Sequence, residues 1–176
     1  TAFTQQHGWT LYRATLGSAR LVAHSTFAQR LLAERGLPRP ELVVMGVDRR
    51  LFALRARPAV WTAPLRMVSV GRLYAKKGHD LAIRTLAALR ERRPELDARL
   101  RIVGDGPELQ SLVQLAEQLG VSRFVSGPAP ARPAEVADAL READIALVPS
   151  RIMPDGWQEA FCRVAVEAMS TGLPVV

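Results

Sequence analysis

The sequence predicts an α/β fold with a parallel sheet and helices on both of its faces. From residue 65 onward, short apolar runs alternate with segments of helical period, at the spacing of βαβ units. Glycines follow several of these runs, as they do where a strand turns toward a helix at the carboxyl edge of a sheet. Hydrophobic residues make up 48% of the 176 residues, which is enough for a packed core.

The elements of this second part follow one another in strict alternation. Apolar runs predict strands at residues 65–70, 100–103, 124–125, 145–148 and 175–176. Apolar residues spaced three and four apart predict helices at residues 79–92, 108–119, 133–142 and 161–170. Gly120 and Gly172 stand where two of these helices should end.

The first part of the chain has a weaker pattern. It predicts a strand at 21–23, a helix at 26–35 that stops at Gly36, and a strand at 42–44. Residues 55–64 contain two prolines and no clear period, which is typical of a linker. We therefore predict three parts: a first segment over 1–50, a linker over 51–64 and a main domain over 65–176.

Composition narrows the classes of partner. The formal charge of +7 fits solvated basic helix faces, and it also fits an anionic ligand, an anionic membrane surface or nucleic acid. Aromatic residues are only 6% and the basic residues are scattered, so we expect no nucleic-acid partner. The single cysteine, Cys162, excludes an internal disulfide and fits a reducing compartment. The three histidines show no ligand spacing with it, so we expect no metal site.

A basic loop follows the first strand of the main domain. Gly71 ends that strand, Arg72 and Lys77 follow it, and a predicted helix begins just beyond. Cations that converge where a helix starts suit a diphosphate. The alternative is an ordinary strand-to-helix loop with solvated basic residues.

A second loop contains Gly104, Asp105 and Gly106. Its glycines permit positive φ angles and the close approach of a ligand to the backbone. Leu109 stands where the dinucleotide-binding fingerprint would require a third glycine, so that motif is excluded. We favour a local turn role for Asp105 and expect the loop backbone to line a site.

The last predicted helix has an apolar face that carries a carboxylate. The residues predicted on that face are Phe161, Val164, Ala165, Ala168 and Met169. Glu167 lies among them and could accept both hydroxyls of a ribose, or could pair with a basic neighbour at the edge of the face. Glu159 precedes the helix and could contact sugar hydroxyls, or could interact with the helix dipole. Cys162 is expected to be a small packed residue rather than a nucleophile.

Four motifs together carry a family resemblance. "SVGRLYAKKGHDLAI", "LRIVGDGPE", "ADIALVPS" and "EAFCRVAVEAMSTGLPVV" occur in this order, and Glu159 and Glu167 fit an E-x7-E spacing. They resemble the C-terminal domain of retaining nucleotide-sugar glycosyltransferases of family 4, the glycosyl transferases group 1. "LVAHSTFAQRLL" and "VVMGVDRRLF" are similar to the segment where that family's N-terminal domain crosses to the C-terminal one. "PSRIMPDGWQEAF" is similar to enzymes of polysaccharide and colanic-acid-type assembly.

The resemblance implies a GT-B fold, with two Rossmann-like domains and a cleft between them. It implies that Arg72 and Lys77 hold the donor diphosphate and stabilise it as it leaves, and that no metal or other cofactor is required. It implies that Glu167 binds the ribose and that Glu159 lies near the donor sugar. The remaining expected substrate-binding residues are Gly71, Gly104, Gly106, Ala160, Phe161 and Cys162. The family commonly has glycine or proline at position 160 and glycine at 162, so the sugar contacts are the part that this sequence alters.

The resemblance also implies partners and a place in the cell. We expect a nucleotide-sugar donor, a glycan or lipid-linked acceptor, and a cytoplasmic location, with peripheral attachment to an anionic inner membrane face as an option. Residues 1–50 resemble the end of an acceptor domain and 65–176 a truncated donor domain, so we expect this chain to be an incomplete and inactive fragment. Two alternatives stay open: a nucleotide-sugar-binding module without transfer activity, and a GT-B-fold nucleotide-sugar epimerase.

Overall fold

The computed structural model describes residues 8–16, 18–56 and 62–176. The chain divides into two compact units, one that ends at Gly46 and one that begins at Val47. Each unit has its own parallel sheet. The three-part division expected from the sequence, with breaks after residues 50 and 64, stays a prediction.

The first unit is a small α/β segment. Its elements are α1 (Gly8–Leu16), β1 (Val22–Ala23), α2 (Thr26–Glu34) and β2 (Glu41–Leu42). The hydroxyl of Ser25 caps α2 by accepting a hydrogen bond of 3.1 Å from the Ala28 amide, which satisfies one free N–H of the first turn. β1 and β2 pair in parallel, with Val22 opposite Glu41.

The second unit contains four strands and four α-helices among the described residues. Its strands are β3 (Leu65–Val70), β4 (Ala98–Val103), β5 (Val125–Ala129) and β6 (Ile145–Ala146). Its helices are α3 (His79–Arg92), α4 (Leu109–Gln118), α5 (Pro133–Glu142) and α6 (Arg163–Ser170). Two short 3₁₀ turns, Ala75–Lys77 and Ser122–Phe124, precede α3 and β5.

The sheet of this unit is parallel, with the strand order β5-β4-β3-β6. The chain moves outward from β3 to β5 and then returns, so that β6 lies on the other side of β3. Val175 extends this side through a parallel bridge to Ala146. The reversal between β3 and β6 is a topological switch point, where parallel sheets leave a crevice at the carboxyl ends of their strands.

Helices pack on both faces of the sheet, as predicted. On one face, Met67, Leu100 and Ile102 of the strands bury against α3 and α4. On the other face, Val68 and Val103 bury against α5 and α6. Alternate strand residues point to opposite faces, so a parallel strand covered on both sides is apolar at consecutive positions. The predicted fold class, an α/β parallel sheet with helices on both faces, is confirmed.

The last helix differs from the prediction in its start and in its buried face. Helix α6 begins at Arg163 rather than at 161, because Cys162 is extended, with φ −87° and ψ 93°, and forms the N-cap. Met169, predicted on the apolar face, is 65% exposed, while Glu167 and Ala168 are the buried residues of the helix. The buried face is therefore rotated away from Met169 and toward the carboxylate.

Strand β5 is longer than the apolar run that predicted it. It begins at Val125 and continues through Gly127 and Pro128 to Ala129, whereas Phe124 lies in the preceding 3₁₀ turn. Glycine and proline are depleted in strands, which is why the pattern stopped short. Among the residues that the structure describes, no helix has the length and apolar character needed to cross a bilayer.

Candidate functional site

Two loops meet at the switch point. The β3–α3 loop comprises residues 71–78 and the β6–α6 loop comprises residues 147–162. The Arg151 amide donates a hydrogen bond of 2.9 Å to the Lys76 carbonyl, and the Arg151 guanidinium forms an ion pair with Asp80 at the start of α3. The Lys76 ammonium lies 4.3 Å from the ring centroid of Trp157. These contacts fasten the two loops together at the carboxyl edge of the sheet.

The most informative contact between these loops is an ion pair between Lys77 and Glu159. The two residues are 82 positions apart in the sequence. Their side chains are 24% and 22% exposed, so the pair is partly shielded from water. The fold thus brings together two residues that the sequence singled out for separate reasons.

Arg72 lies on the same loop and has a different environment. Its side chain is exposed, and its Cζ lies 5.2 Å from the ring centroid of Tyr74. No carboxylate within the described ranges lies at ion-pair distance from the Arg72 guanidinium. Its charge is therefore available to an anionic ligand at this edge of the sheet.

The β4–α4 loop packs directly under the β3–α3 loop. The Gly71 amide donates to the Val103 carbonyl at 3.0 Å. A Cβ added to Gly104, whose φ is +150°, would lie 1.9 Å from the Gly71 carbonyl oxygen, so the position accepts only glycine. The Gly106 amide donates to Asp105 Oδ1 at 2.8 Å, which gives Asp105 the local turn role that we favoured.

Glu167 is a buried carboxylate on α6, with a side chain that is 11% exposed. Arg163, one turn earlier, places its Nε 3.1 Å from Glu167 Oε1. Burial raises the pKa of Glu167 above its ordinary value, and Arg163 opposes that shift in part. In the described part of the chain, Glu167 forms no ion pair with Lys77, so the structure does not join these two predicted site residues.

The segment Ala160, Phe161 and Cys162 leads from Glu159 into α6, and all three residues are half-buried. The Cys162 carbonyl accepts a hydrogen bond of 3.2 Å from the Ala165 amide, while its side chain forms no capping hydrogen bond. The first turn of α6 therefore begins directly after Cys162, with its amide groups and the positive end of its dipole directed back toward this segment.

Residue-by-residue reasoning overlooked His79, which is only 3% exposed and lies directly behind the β3–α3 loop. A signal for it was present in the sequence. His79, Ala82, Ile83 and Leu86 are spaced three and four apart, and all four are buried on α3. Asp80 and Arg151 were missed as well, because an ion pair between distant loops leaves no trace in local sequence.

Two surface cavities lie elsewhere on the second unit. One of 560 Å³ is lined by residues of β4, β5 and the segment that leads into α5. Another of 170 Å³ lies where β3, β4 and α5 meet, near Arg66 and Arg101. None of the predicted site residues lines either cavity, so the candidate site rests on the loop contacts and not on cavity volume. Within the described ranges, no three metal-ligating side chains are clustered.

Comparisons with known proteins show which family the chain belongs to. A family model described as glycosyl transferases group 1 matches residues 54–176. The chain is 38% identical over 147 residues to a protein of Escherichia coli strain K12 named "Putative colanic acid biosynthesis glycosyltransferase WcaL". That match covers 82% of this chain and 36% of the relative. The chain is also 31% identical over 176 residues to D-inositol 3-phosphate glycosyltransferase of Pseudarthrobacter chlorophenolicus. That match covers 94% of this chain and 40% of the relative.

Solved structures share the fold. Anabaena Alr3699/HepE in complex with UDP superposes with a TM-score of 0.77 at 22% identity, over 97% of this chain and 48% of that one. WaaG, a glycosyltransferase involved in lipopolysaccharide biosynthesis, superposes with a TM-score of 0.74 at 23% identity. That match covers 99% of this chain and 50% of that one. The chain thus spans 36% and 40% of the two curated relatives named above.

Proposed function

The chain belongs to the glycosyl transferases group 1, and we propose that it forms the donor-binding part of a retaining glycosyltransferase. The reaction moves a sugar from a nucleoside diphosphate to an acceptor hydroxyl with retention at the anomeric carbon. One observation carries the proposal most directly. Lys77 and Glu159, from the two loops that flank the switch point, meet at the carboxyl edge of the sheet.

The donor diphosphate is assigned to Arg72 and Lys77. Both lie on the β3–α3 loop, where α3 begins and its dipole favours negative charge. Arg72 has a planar set of donors that suits phosphate oxygens, and Lys77 adds a compact charge. The backbone of Gly71, Gly104 and Gly106 is assigned to the same edge, where the absence of side chains lets the β3–α3 and β4–α4 loops pack closely together.

The nucleoside and the sugar are assigned to the other loop and to α6. Glu167 accepts both ribose hydroxyls, which suits a carboxylate held away from water on a rigid helix. Glu159 faces the donor sugar, together with the backbone of Ala160, Phe161 and Cys162. Because Cys162 carries a side chain where the family commonly has glycine, we expect its thiol to restrict which sugar the site accepts.

Catalysis in this proposal is stabilisation of the leaving group. The bond between the anomeric carbon and the diphosphate breaks, and negative charge develops on the departing phosphate oxygen. Fixed cations at Arg72 and Lys77 stabilise that charge without reorganising during the reaction. The acceptor hydroxyl must approach from outside the described site, because the donor residues occupy only one side of the cleft implied by the resemblance.

The acceptor is proposed to be a glycan or a lipid-linked saccharide. The names of two relatives associate those proteins with colanic acid biosynthesis and with D-inositol 3-phosphate, which supports a hydroxyl-rich acceptor here. A cytoplasmic location with peripheral attachment to an anionic membrane is part of the same proposal, and the charge of +7 supports that attraction. The chain covers well under half of both of these relatives, so we expect the 176 residues alone to bind nucleotide weakly and to transfer no sugar.

A thermal-shift panel tests the proposed function. The complete protein is heated with UDP, GDP or ADP, and then with their sugar conjugates. A ligand that binds the folded state raises the melting temperature by mass action, so one nucleotide should give the largest rise. Product analysis with a labelled donor then separates transfer from epimerisation and reports the anomeric configuration. No shift with any nucleoside diphosphate would overturn the proposal.

A further inference from the structure

His79 is held at the junction of β3 and α3 by one side of its ring. It is the first residue of α3 and is 3% exposed. Its Nδ1 lies 2.9 Å from the hydroxyl oxygen of Ser69 on β3, and that contact is buried. The ring therefore has a fixed plane and a fixed direction, set by the strand and the helix together.

The other side of the ring faces the β3–α3 loop. Nε2 is buried and has no hydrogen-bond partner among the described residues. A Cβ added to Gly71 would lie 3.5 Å from this nitrogen, so the ring edge stands directly behind the Gly71 backbone. A buried ring nitrogen without a partner is costly and uncommon, so this one calls for an explanation. A hydrogen bond to a nearby group, formed in another state of the loop, would remove that cost.

The neighbouring acceptors are backbone carbonyl groups of the same loop. Burial lowers the pKa of His79 most strongly, the nearby Arg72 carbonyl raises it, Lys77 lowers it, and the Gly71 carbonyl and Asp80 raise it. The ring is therefore neutral at neutral pH and carries one proton. With carbonyls near Nε2, that proton lies on Nε2, and the Ser69 hydroxyl donates to Nδ1. The carbonyls lie near enough to act on the ring electrostatically, without the geometry of a full hydrogen bond.

We propose that His79 is a positioning residue for the donor diphosphate, whose Nε2–H donates to the Arg72 carbonyl as the β3–α3 loop closes on that ligand. This inference rests on the proposed function. The hydrogen bond fixes the backbone from which the Arg72 side chain extends. It therefore lowers the entropy cost of ordering this loop when the diphosphate binds. Gly71 matters here because a larger residue would stand between the ring and the loop.

Two amide substitutions separate the two sides of the ring. His79→Gln places an amide N–H near the position of Nε2, whereas His79→Asn places its polar atoms near Nδ1 and keeps only the contact with Ser69. Affinity for the preferred nucleoside diphosphate is measured by calorimetry on the complete protein, together with the melting temperature. We expect His79→Asn to weaken binding about three- to tenfold and His79→Gln to stay within about twofold of wild type.

The outcomes are distinct. Equal affinities for wild type and His79→Asn overturn the inference, and so does an equal loss in both variants that tracks a lower melting temperature, because that result indicates a purely structural histidine. If His79→Asn does not fold, Ser69→Ala takes its place: it frees the ring while leaving Nε2 present, it should lower the melting temperature because Nδ1 loses its buried partner, and it should weaken binding at temperatures where the variant is fully folded. Unchanged affinity in Ser69→Ala then overturns the inference. Failure of wild type to bind any nucleoside diphosphate refutes the proposed function instead.

Discussion

Lys77 and Glu159 form an ion pair across the switch point of the sheet. Lys77 is the cation assigned to the donor diphosphate, and Glu159 is the carboxylate assigned to the donor sugar. The carboxylate therefore lies where a phosphate oxygen would interact with Lys77. We propose that a donor diphosphate bound to Lys77 displaces Glu159, which then becomes free to accept hydrogen bonds from the sugar. In this proposal, binding of the diphosphate and placement of the sugar-binding carboxylate are coupled through this pair.

Replacing Glu159 with glutamine should separate binding from turnover. Glu159→Gln removes the anion that competes for Lys77, so we expect nucleoside diphosphate to bind about two- to fivefold more tightly. Transfer from the nucleotide-sugar should nevertheless slow, because an amide offers the sugar one acceptor oxygen where a carboxylate offers two. Calorimetry with the diphosphate and a turnover assay on the complete protein measure the two effects.

Glu142→Gln is the matched control for that experiment. Glu142 pairs with Arg101, away from the β3–α3 loop. Glu142→Gln should therefore leave both the affinity for the diphosphate and the rate of sugar transfer unchanged. Loss of diphosphate affinity in Glu159→Gln would show that Glu159 supports the nucleotide directly and does not compete with it.

The two neighbouring lysines should respond differently to truncation. Lys77→Ala removes a charge-assisted contact and should weaken diphosphate binding by about 1.5–3 kcal/mol. Lys76→Ala is the comparison variant: it also removes one positive charge and loses the stacking on Trp157, but Lys76 forms no ion pair with a described carboxylate, so we expect a clearly smaller loss of affinity. Arg72→Ala should resemble Lys77→Ala. Calorimetric titration that finds Lys76→Ala and Lys77→Ala equivalent would contradict the assignment.

Glu167 should make stability depend on pH in a defined direction. Burial raises its pKa above the ordinary value of 4.5, so between 4.5 and the raised value the folded protein binds more protons than the unfolded chain. The contribution of Glu167 to the free energy of unfolding is therefore complete below that window and is lost as the pH rises through it. Glu167→Gln has no titrating group at this position, so its free energy of unfolding should rise relative to that of wild type as the pH increases through the window. Denaturation curves between about pH 4 and about pH 7 report the difference.

The same substitution tests the ribose assignment. Glu167→Gln should weaken nucleoside diphosphate binding, because the amide nitrogen is a donor and cannot accept a hydroxyl hydrogen bond. Arg163→Gln is the control, since it removes the ion partner and leaves the carboxylate in place. Wild-type affinity in Glu167→Gln would make Glu167 a paired residue of α6 without a part in recognition.

The alternation of strands and helices and the loops at the carboxyl edge were predictable from the sequence. Apolar runs that end at Gly71 and Gly104 are typical of strands that turn toward a helix in an alternating α/β pattern, and the structure places both glycines where backbones touch. The meeting of Lys77 and Glu159 was not derivable from local pattern, because it depends on β6 returning to the side of β3. That step is a choice of topology, to which the family resemblance pointed.

The buried face of α6 and the role of His79 were not predicted from the sequence. For α6 the reason is that tertiary packing overrode the local pattern. Apolar spacing placed Met169 inside, yet packing rotated α6 so that Glu167 is buried instead. A carboxylate does not look like a core residue, so periodicity alone left open whether Glu167 binds a ligand or pairs with a basic neighbour at the edge of the face. His79 escaped because a histidine outside a ligand pattern was judged only as a metal ligand, although its spacing with Ile83 and Leu86 already indicated burial.

The tight packing of the site loops predicts a large difference between two glycines with the same backbone conformation. Gly78 and Gly120 have φ angles of +69° and +67°, so alanine meets the same left-handed strain at both. They differ in their surroundings. A Cβ at Gly78 would lie 2.0 Å from the Pro149 carbonyl oxygen of the β6–α6 loop. A Cβ at Gly120 would have no heavy atom within 4 Å apart from those of its own chain neighbours.

Gly120→Ala should therefore cost about 1–2 kcal/mol of unfolding free energy, the cost of left-handed alanine alone. Gly78→Ala should cost about 3–5 kcal/mol, because Pro149 must move and the contact between Arg151 and Lys76 beside it must move as well. Chemical denaturation of both variants measures the difference. If Gly78→Ala remains folded at low denaturant, it should still bind nucleoside diphosphate more weakly than Gly120→Ala, because the loop that carries Arg72 and Lys77 has been displaced. Equal stability and equal affinity in the two variants would mean that the two loops are not fastened together as described.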